Sequence, residues 1–337
     1  MAQNNLGRRQ FLAVSGATLG TAAVGLLLAG CGDDASPGVS SAAGAKSPLI
    51  KAAGGENGSS GVMRQALKLA AEELGGAKVE LANMAQGTAL LSVRNNSAQS
   101  AMMSWVNLCQ ARDNGVEAVA IAPAWASHAS IMVAADSPYQ TVADLKGKRV
   151  GTAARTSGVY SETRAALKDQ GLDIEKDFAL KPIDDGALLR ALFLKGDFDA
   201  IIANEPAVSQ LLADKSSREL LQVGAYEAQQ HGGRLVPVNS WGVRRDWVEQ
   251  YDPKALQAIF LHASKLASTS KKPYDLAAAV GGLTPAANDM FFQRFSKLVI
   301  TEFTDQNLQD AQVQLDEALT AGLIKSAYQV TDLVLKV

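Results

Sequence analysis

From Leu49 onward, short apolar runs alternate with amphipathic stretches, and this alternation constrains the fold more than any other feature of the sequence. The apolar run at 49–53 predicts a buried strand, and the stretch at 62–74 has apolar residues at helical spacing. Further strands are expected at 79–83, 117–122, 130–134, 148–153, 178–183, 200–203 and 235–243, and further helices at 88–95, 159–170, 186–194 and 206–213. Strands that alternate with helices favour an α/β fold with parallel sheets.

The pattern changes to helices alone after residue 243. Asp252-Pro253 and Thr284-Pro285 each place an N-cap residue before a proline at the first helical position. Three helices are expected, at 253–269, 285–300 and 305–321. A helical segment without a sheet of its own must pack on an earlier layer. We therefore expect two lobes. Lobe I comprises 48–128 plus 238–337, and lobe II comprises 129–237.

The first 47 residues have the composition of an export signal followed by a tether. The pair Arg8-Arg9 precedes a mildly apolar run, and residues 1–30 are expected to be a twin-arginine signal peptide. Leu28-Ala29-Gly30-Cys31 resembles the lipobox of bacterial lipoproteins, which implies a diacylglycerol on Cys31 and a membrane-anchored, extracytoplasmic protein. Residues 31–47 are rich in Gly, Ser and Ala and are expected to form a flexible tether. The alternative is a transmembrane helix, because the apolar run is close to the minimum spanning length.

Composition excludes some function classes. The net charge of −2 gives no electrostatic footprint for nucleic acid. The only other cysteine is Cys109, so a lipidated Cys31 leaves no intramolecular disulfide, and Cys109 is expected to be a small buried apolar residue.

Several segments resemble one family. They are the run from Asp136 to Gly151, which includes Asp144-Leu145-Lys146-Gly147-Lys148-Arg149-Val150-Gly151, then Leu188 to Leu192, Gly196 to Ala200, and Asn204-Glu205-Pro206. These segments are similar to substrate-binding proteins of ABC importers, in the nitrate, sulfonate and taurine branch that also includes binding proteins for thiamine-precursor pyrimidines. The resemblance implies a type II periplasmic-binding-protein fold of two α/β lobes, each a sheet flanked by helices, with the ligand cleft between them. It also implies a small-molecule ligand, an ABC permease and its ATPase as partners. Gln99 stands where family members usually carry an acidic residue.

Two loops are candidates for ligand contact. Ligands of open α/β sheets bind beyond the carboxyl ends of strands, where helix N-termini present free N–H groups. Residues 56–61 and 155–160 are glycine- and hydroxyl-rich loops in such positions, and Arg155 adds a cation for an anion clamp. The alternatives are a tight turn with a capping serine in the first loop, and an N-cap at Thr156 or Ser157 with a solvated arginine in the second.

Aromatic and acidic residues complete the candidate site. Three of the four tryptophans fall at expected strand ends or crossovers, where with Tyr160 they are predicted to form walls for an apolar or planar ligand body; the alternative is that they pack the hinge. Glu205 is either a charge at a helix N-terminus or an acceptor for a ligand amino group, which would favour a zwitterion. The expected ligand contacts are Asn57, Ser59, Ser60, Thr88, Trp105, Trp125, Arg155, Thr156, Ser157, Tyr160, Glu205, Asn239 and Trp241.

No arrangement typical of catalysis is visible in the sequence. The three histidines, His128, His231 and His262, lack neighbours at metal-ligand or catalytic spacing, and no Gly-x-Ser-x-Gly nucleophile motif occurs. We expect a monomeric binding protein without cofactor or metal that captures a small organic anion or zwitterion. Binding of an aromatic or pyrimidine ligand is the alternative within the family. An enzyme of the same fold, such as a pyrimidine synthase, or a sensor is the alternative of another class.

Overall fold

Two five-stranded sheets organise the computed structural model, which describes residues 47–155, 157–183 and 185–337. The expected signal peptide, Cys31, nearly all of the expected tether, and Thr156 lie outside the described residues. None of the helices in the described part has the length and apolar character needed to cross a bilayer.

The first sheet has the strand order β2-β1-β3-β10-β4. Its strands are β1 (Leu49–Gly54), β2 (Lys78–Asn83), β3 (Ser100–Ser104), β4 (Ala118–Ala126) and β10 (Pro237–Arg244). The second sheet has the order β7-β6-β8-β5-β9. Its strands are β5 (Ala129–Ala134), β6 (Arg149–Thr152), β7 (Ala179–Pro182), β8 (Ala200–Asn204) and β9 (Ser217–Gln222). The two sheets and their helices are called lobe I and lobe II below, and they confirm the expected two-lobe α/β fold.

Both sheets are mixed rather than parallel throughout, which corrects the expectation from the sequence. In lobe I, β10 runs antiparallel to both β3 and β4. In lobe II, β5 runs antiparallel to both β8 and β9. The reason is topological. The chain leaves lobe I after β4, returns after β9, and so enters each receiving sheet at the edge where the parallel strands end.

Helices cover both sheets. The helices that connect the strands are α1 (Gly58–Leu74), α2 (Gln86–Arg94), α3 (Trp105–Asp113), α4 (Gly158–Asp169), α5 (Gly186–Leu194), α6 (Ala207–Ala213) and α7 (Val223–Gln230). The C-terminal helices are α8 (Arg245–Val248), α9 (Pro253–Thr269), α10 (Lys272–Gly281), α11 (Pro285–Phe295), α12 (Asp305–Thr320) and α13 (Val330–Leu333). Among the elements that the sequence patterns missed are β3, β9, α3, α7 and α10, and they placed the start of α1 at residue 62, four residues too late.

The apolar residues of each lobe form separate cores around its sheet. In lobe I, α1, α9 and α11 bury Ile50, Val62, Trp241 and Phe260 on one face, and α3 and α12 cover the other. Cys109 belongs to that second cluster and is fully buried, as expected. Burial raises the pKa of its thiol to about 12.

Candidate ligand-binding cleft

The carboxyl ends of the parallel strands lie at the edge of each sheet where the chain crosses between the lobes. Helices α1 and α3 begin directly after β1 and β3 in lobe I, and α4 and α6 begin after β6 and β8 in lobe II. The first turns of these helices therefore line the space between the lobes. Helix N-termini carry a partial positive charge and present N–H groups without partners within the helix.

Two of these four helix N-termini, those of α3 and α4, are capped by the side chain of the N-cap residue. Ser104 accepts a hydrogen bond from the backbone N–H of Asn107 at 3.2 Å and caps α3. Ser157 accepts one from the backbone N–H of Tyr160 at 3.2 Å and caps α4, which is the alternative considered for the 155–160 loop. Asp185 caps α5.

The N-terminus of α1 differs from these. Its N-cap residue, Asn57, makes no capping side-chain hydrogen bond within the described ranges. Ser59 is 6% exposed, and neither its Oγ nor the buried Oγ of Ser60 has a hydrogen-bond partner in the part of the chain that the structure describes. Helix α1 thus presents free hydroxyl and N–H donors at the cleft.

Beneath this turn lies a buried guanidinium. Arg64 is 1% exposed, and its Nε and Nη1 donate to the carbonyl oxygens of Ala52, Gly54 and Gly55 at 2.9, 2.9 and 2.6 Å. Its Nη2 donates to Asn83 Oδ1 at 2.8 Å. Burial lowers the pKa of Arg64 to about 10. A side chain at Gly54, where φ is +150°, would approach Ser60 Oγ to 2.5 Å, so the turn requires glycine there.

The two lobes meet at this N-terminus. A β-carbon on Gly58 would lie 3.0 Å from Pro206 Cδ and 3.7 Å from the carbonyl oxygen of Glu205, both in lobe II. Helix α11 of lobe I packs on α6 of lobe II. A ligand at the start of α1 would therefore contact both lobes.

A partly buried ion-pair network joins the lobes beside this contact. Arg294 of α11 donates from Nε to Glu205 Oε1 at 2.6 Å and from Nη1 to Glu219 Oε2 at 3.0 Å. Glu205 Oε2 accepts from the backbone N–H and hydroxyl of Ser209 at 3.0 and 2.6 Å, and the backbone N–H of Glu205 donates to His128 Nδ1 at 3.1 Å. Although burial opposes the charge on Arg294, its hydrogen bonds to Glu219 and the charge of Glu205 raise its pKa. The structure thus assigns Glu205 partners within the protein.

Arg155 also has partners within the protein. Its Nε and Nη2 donate to the two carboxylate oxygens of Glu175 at 2.6 and 2.8 Å, and its side chain is 48% exposed. Tyr160 donates its hydroxyl hydrogen to the same carboxylate and is buried in the lobe II core. The hydrogen bonds from Arg155 and Tyr160 lower the pKa of Glu175 to about 2. The charge of Arg155 is therefore balanced without a ligand.

Two of the three candidate tryptophans are anchored in the core of lobe I. Trp105 is 2% exposed and donates from Nε1 to the carbonyl oxygen of Pro237 at 2.7 Å, which fits the alternative of packing the hinge. Trp241 is fully buried and donates to Ser264 Oγ at 3.3 Å. It therefore offers no surface to a ligand, because its indole packs on Phe260 within the sheet–helix layer.

Trp125, Asn239 and Thr88 occupy less enclosed positions. Trp125 lies edge-on to His128 and Phe295 beside the lobe contact, and its Nε1 lacks an acceptor among the described residues. Asn239 is half-buried on β10 and pairs with Trp125 in the sheet register. Thr88 and Asn57 are exposed on α2 and at the start of α1.

Two glutamates beside the hinge are the other unusual feature. Glu162 Oε2 accepts a hydrogen bond from the hydroxyl of Ser127, in the crossing between β4 and β5, at 2.6 Å. Burial raises the pKa of Glu162 to about 7, and burial together with the charge of Glu162 raises the pKa of Glu227 to about 9. These carboxyl groups favour their neutral forms.

Sequence reasoning missed Arg64, Arg294, Glu219 and the Glu162–Glu227 pair. A local signal exists only for the arginines. Arg64 follows Val62-Met63, and Arg294 stands between Phe292 and Phe295, so each is a charge within an apolar helical stripe. Their partners come from other elements and could not be identified by spacing.

The family model for ABC-transporter phosphonate periplasmic substrate-binding proteins matches residues 65–291, more than half of the chain. The chain belongs to this family. Membership confirms the resemblance to importer substrate-binding proteins, and it implies a small-molecule ligand, an ABC permease as partner and an extracytoplasmic location. Comparison with curated protein sequences gives no significant match.

Solved structures of similar fold support the same architecture. The alkanesulfonate-binding protein SsuA from Xanthomonas axonopodis pv. citri, bound to MOPS, superposes with a TM-score of 0.69 at 20% identity, over 88% of this chain and 100% of that one. The aliphatic sulphonate binding protein SsuA from Escherichia coli gives 0.69 at 19% identity, over 86% and 92%. The desulfurization enzyme DSZB gives 0.58 at 17% identity, over 85% and 96%. At these identities the similarity establishes the fold alone.

Proposed function

We propose that this protein is the extracytoplasmic solute-binding lipoprotein of an ABC importer, and that it captures a small organic anion or zwitterion by closure of its two lobes. The observation that carries the proposal is the N-terminus of α1 at the lobe contact, where Asn57 makes no capping bond and the hydroxyls of Ser59 and Ser60 have no partner among the described residues. Free N–H and O–H donors at a helix N-terminus favour an anionic group.

The ligand would bias closure because its site belongs to both lobes. Donors from the start of α1 approach the anion from lobe I, and the segment at Glu205–Pro206 encloses it from lobe II. A ligand that contacts both lobes stabilises the closed form over any open form, which the permease can then recognise. The half-buried Asn239 and the free Nε1 of Trp125 are proposed as further contacts.

We assign the anion to α1 rather than to the 155–160 loop, because Ser157 caps α4 and Arg155 is paired with Glu175. A ligand at Arg155 would have to displace a bidentate carboxylate. The Arg155→Ala variant is accordingly expected to retain anion binding.

Calorimetric titration of the wild type with alkanesulfonates, taurine, alkylphosphonates, nitrate, aromatic carboxylates and pyrimidines tests the function. A Kd in the micromolar range, about −8 kcal/mol, is expected for an anionic or zwitterionic member, with a matching rise in melting temperature. Binding of pyrimidines alone would support the alternative ligand class. Chemical conversion of a bound solute would contradict a purely binding role. An assay for such conversion is included because the desulfurization enzyme has a similar fold.

The lipoprotein part of the proposal rests on the sequence Leu28-Ala29-Gly30-Cys31. The Cys31→Ser variant is expected to remain unprocessed and to incorporate no radiolabelled fatty acid in its bacterial host. Cys109→Ser is the matched control, because it removes the other thiol and leaves the signal intact. Normal processing of Cys31→Ser would refute the lipid anchor.

A further inference from the structure

We propose that Arg64 is a specificity-determining residue that makes the start of α1 selective for a compact oxyanion, such as a phosphonate or sulfonate head group. The proposal rests on the proposed function, since it concerns the same cleft. It adds the charge that selects the ligand and the residue that orients the binding turn.

Among the residues that the structure describes, the charge of Arg64 has no counter-ion. All four of its hydrogen-bond acceptors, on Ala52, Gly54, Gly55 and Asn83, are neutral carbonyl or amide oxygens. No carboxylate of the described ranges forms an ion pair with it. Buried charges in proteins are ordinarily paired, because removing an ion from water costs several kcal/mol. An unpaired guanidinium at 1% exposure is therefore a departure that calls for a partner.

The charge of Arg64 acts beneath the first turn of α1. Side chains of a helix lean towards its N-terminus, so the guanidinium of Arg64 reaches back under the turn that starts α1. The turn itself contributes the positive end of a 17-residue helix and the unpartnered, 6% exposed hydroxyl of Ser59. The carboxylate whose charge acts on Arg64 is that of Glu56, which is exposed to solvent. Two independent sources of positive potential thus converge on one set of free donors.

Arg64 also orients the backbone of the turn that precedes α1. Arg64 donates to the carbonyl oxygens of Gly54 and Gly55, and the Gly54 oxygen also accepts from the backbone N–H of Met84 at 2.9 Å, so neither oxygen is left to repel an anion. The same turn holds the buried hydroxyls of Ser59 and Ser60, which have no hydrogen-bond partner among the described residues. This arrangement suits a small head group with several acceptor oxygens, because the donors lie on one short turn and the segment at Glu205–Pro206 limits its size.

The test uses Ser59→Ala and Arg64→Lys, with Arg64→Met where it folds. The probes are methylphosphonate, methanesulfonate and the neutral dimethyl sulfone, which share a tetrahedral shape and differ in charge, and 2-aminoethylphosphonate and taurine as longer zwitterions. Isothermal titration is expected to show at least tenfold weaker binding of the best anionic probe to Ser59→Ala and to Arg64→Lys. Arg64→Met is expected to lose most of the preference of the wild type for the charged probes over dimethyl sulfone. A purely structural role for Arg64 would not change this charge preference.

Arg149→Met is the matched control, because it removes an exposed arginine of lobe II that pairs with Asp199. Its Kd is expected to equal that of the wild type. If Ser59→Ala and Arg64→Lys also bind the best anionic probe with the wild-type Kd, the assignment of Arg64 is overturned while the solute-binding function stands. If the wild type binds none of the anionic probes but binds a pyrimidine, both the proposed ligand class and the selectivity assigned to Arg64 are wrong.

Discussion

At the residue scale, this protein places several charged or titratable groups in buried or partly buried positions near its hinge. Arg64 lacks a counter-ion within the described part of the chain, Arg294 binds two carboxylates, and Glu162 lies close to a second glutamate, Glu227. Burying such groups is unfavourable unless they are paired or change protonation state. The two glutamates change protonation state, because their raised pKa values favour the neutral carboxyl.

We predict that the Glu162–Glu227 pair makes the protein less stable as pH rises. Each carboxyl has a folded-state pKa above its ordinary value of 4.5, so the folded protein holds protons that the unfolded chain has released. The free energy of unfolding therefore falls as pH rises from about 4.5 to about 7 on account of Glu162, and from about 4.5 to about 9 on account of Glu227, by at most about 1.4 kcal/mol per pH unit for each proton.

Glu227→Gln removes the larger of these effects. Its melting temperature, measured by calorimetry, is expected to exceed that of the wild type by an increasing margin between pH 5 and pH 9. Glu72→Gln, an exposed glutamate on α1, controls for the amide substitution itself. A margin that stays constant with pH would contradict the elevated pKa of Glu227.

At the element scale, helix boundaries set by local chemistry are the most predictable feature. Helix α9 begins at Pro253 and ends at Thr269, as the sequence indicated, because Asp252 accepts hydrogen bonds from the backbone N–H groups of Lys254 and Ala255 at 3.0 and 3.3 Å. We predict that Asp252→Ala lowers the free energy of unfolding by about 0.5–2 kcal/mol, measured by urea denaturation. Glu249→Ala, an exposed carboxylate three positions earlier, is expected to have a much smaller effect.

Elements that depend on tertiary contacts were predicted less well, and the residues of the candidate site were predicted least well. The glycines and serines of 54–61 read as a loop, yet α1 begins at Gly58 because β1, Arg64 and Pro206 of the other lobe enclose the turn. Tryptophans at strand ends were predicted to face the cleft, whereas Trp241 packs under α9. The sequence shows which residues are apolar or charged. It does not show which side chains at the end of a sheet face the cleft and which face a covering helix.

At the scale of the whole molecule, the network of Arg294 with Glu205 and Glu219 spans the two lobes and therefore belongs to closure rather than to either lobe. Arg294 comes from α11, next to the aromatic cluster of Phe291 and Phe295, and both carboxylates come from lobe II. The contact holds the lobes together without a ligand. The ligand would then need to supply only part of the free energy of closure. The affinity for ligand therefore depends on how strongly this network stabilises the closed form.

We predict that Arg294→Met opens the ligand-free protein. The substitution leaves two carboxylates close together in a poorly solvated contact, which is expected to cost about 3–5 kcal/mol in the free energy of unfolding of the closed form. Separation of the lobes relieves this repulsion, so small-angle X-ray scattering should give a larger radius of gyration than for the wild type. The triple variant Arg294→Met/Glu205→Gln/Glu219→Gln replaces all three charges and is expected to recover much of the lost stability and compactness. If Arg294→Met has the wild-type scattering profile and urea midpoint, the network does not hold the lobes closed.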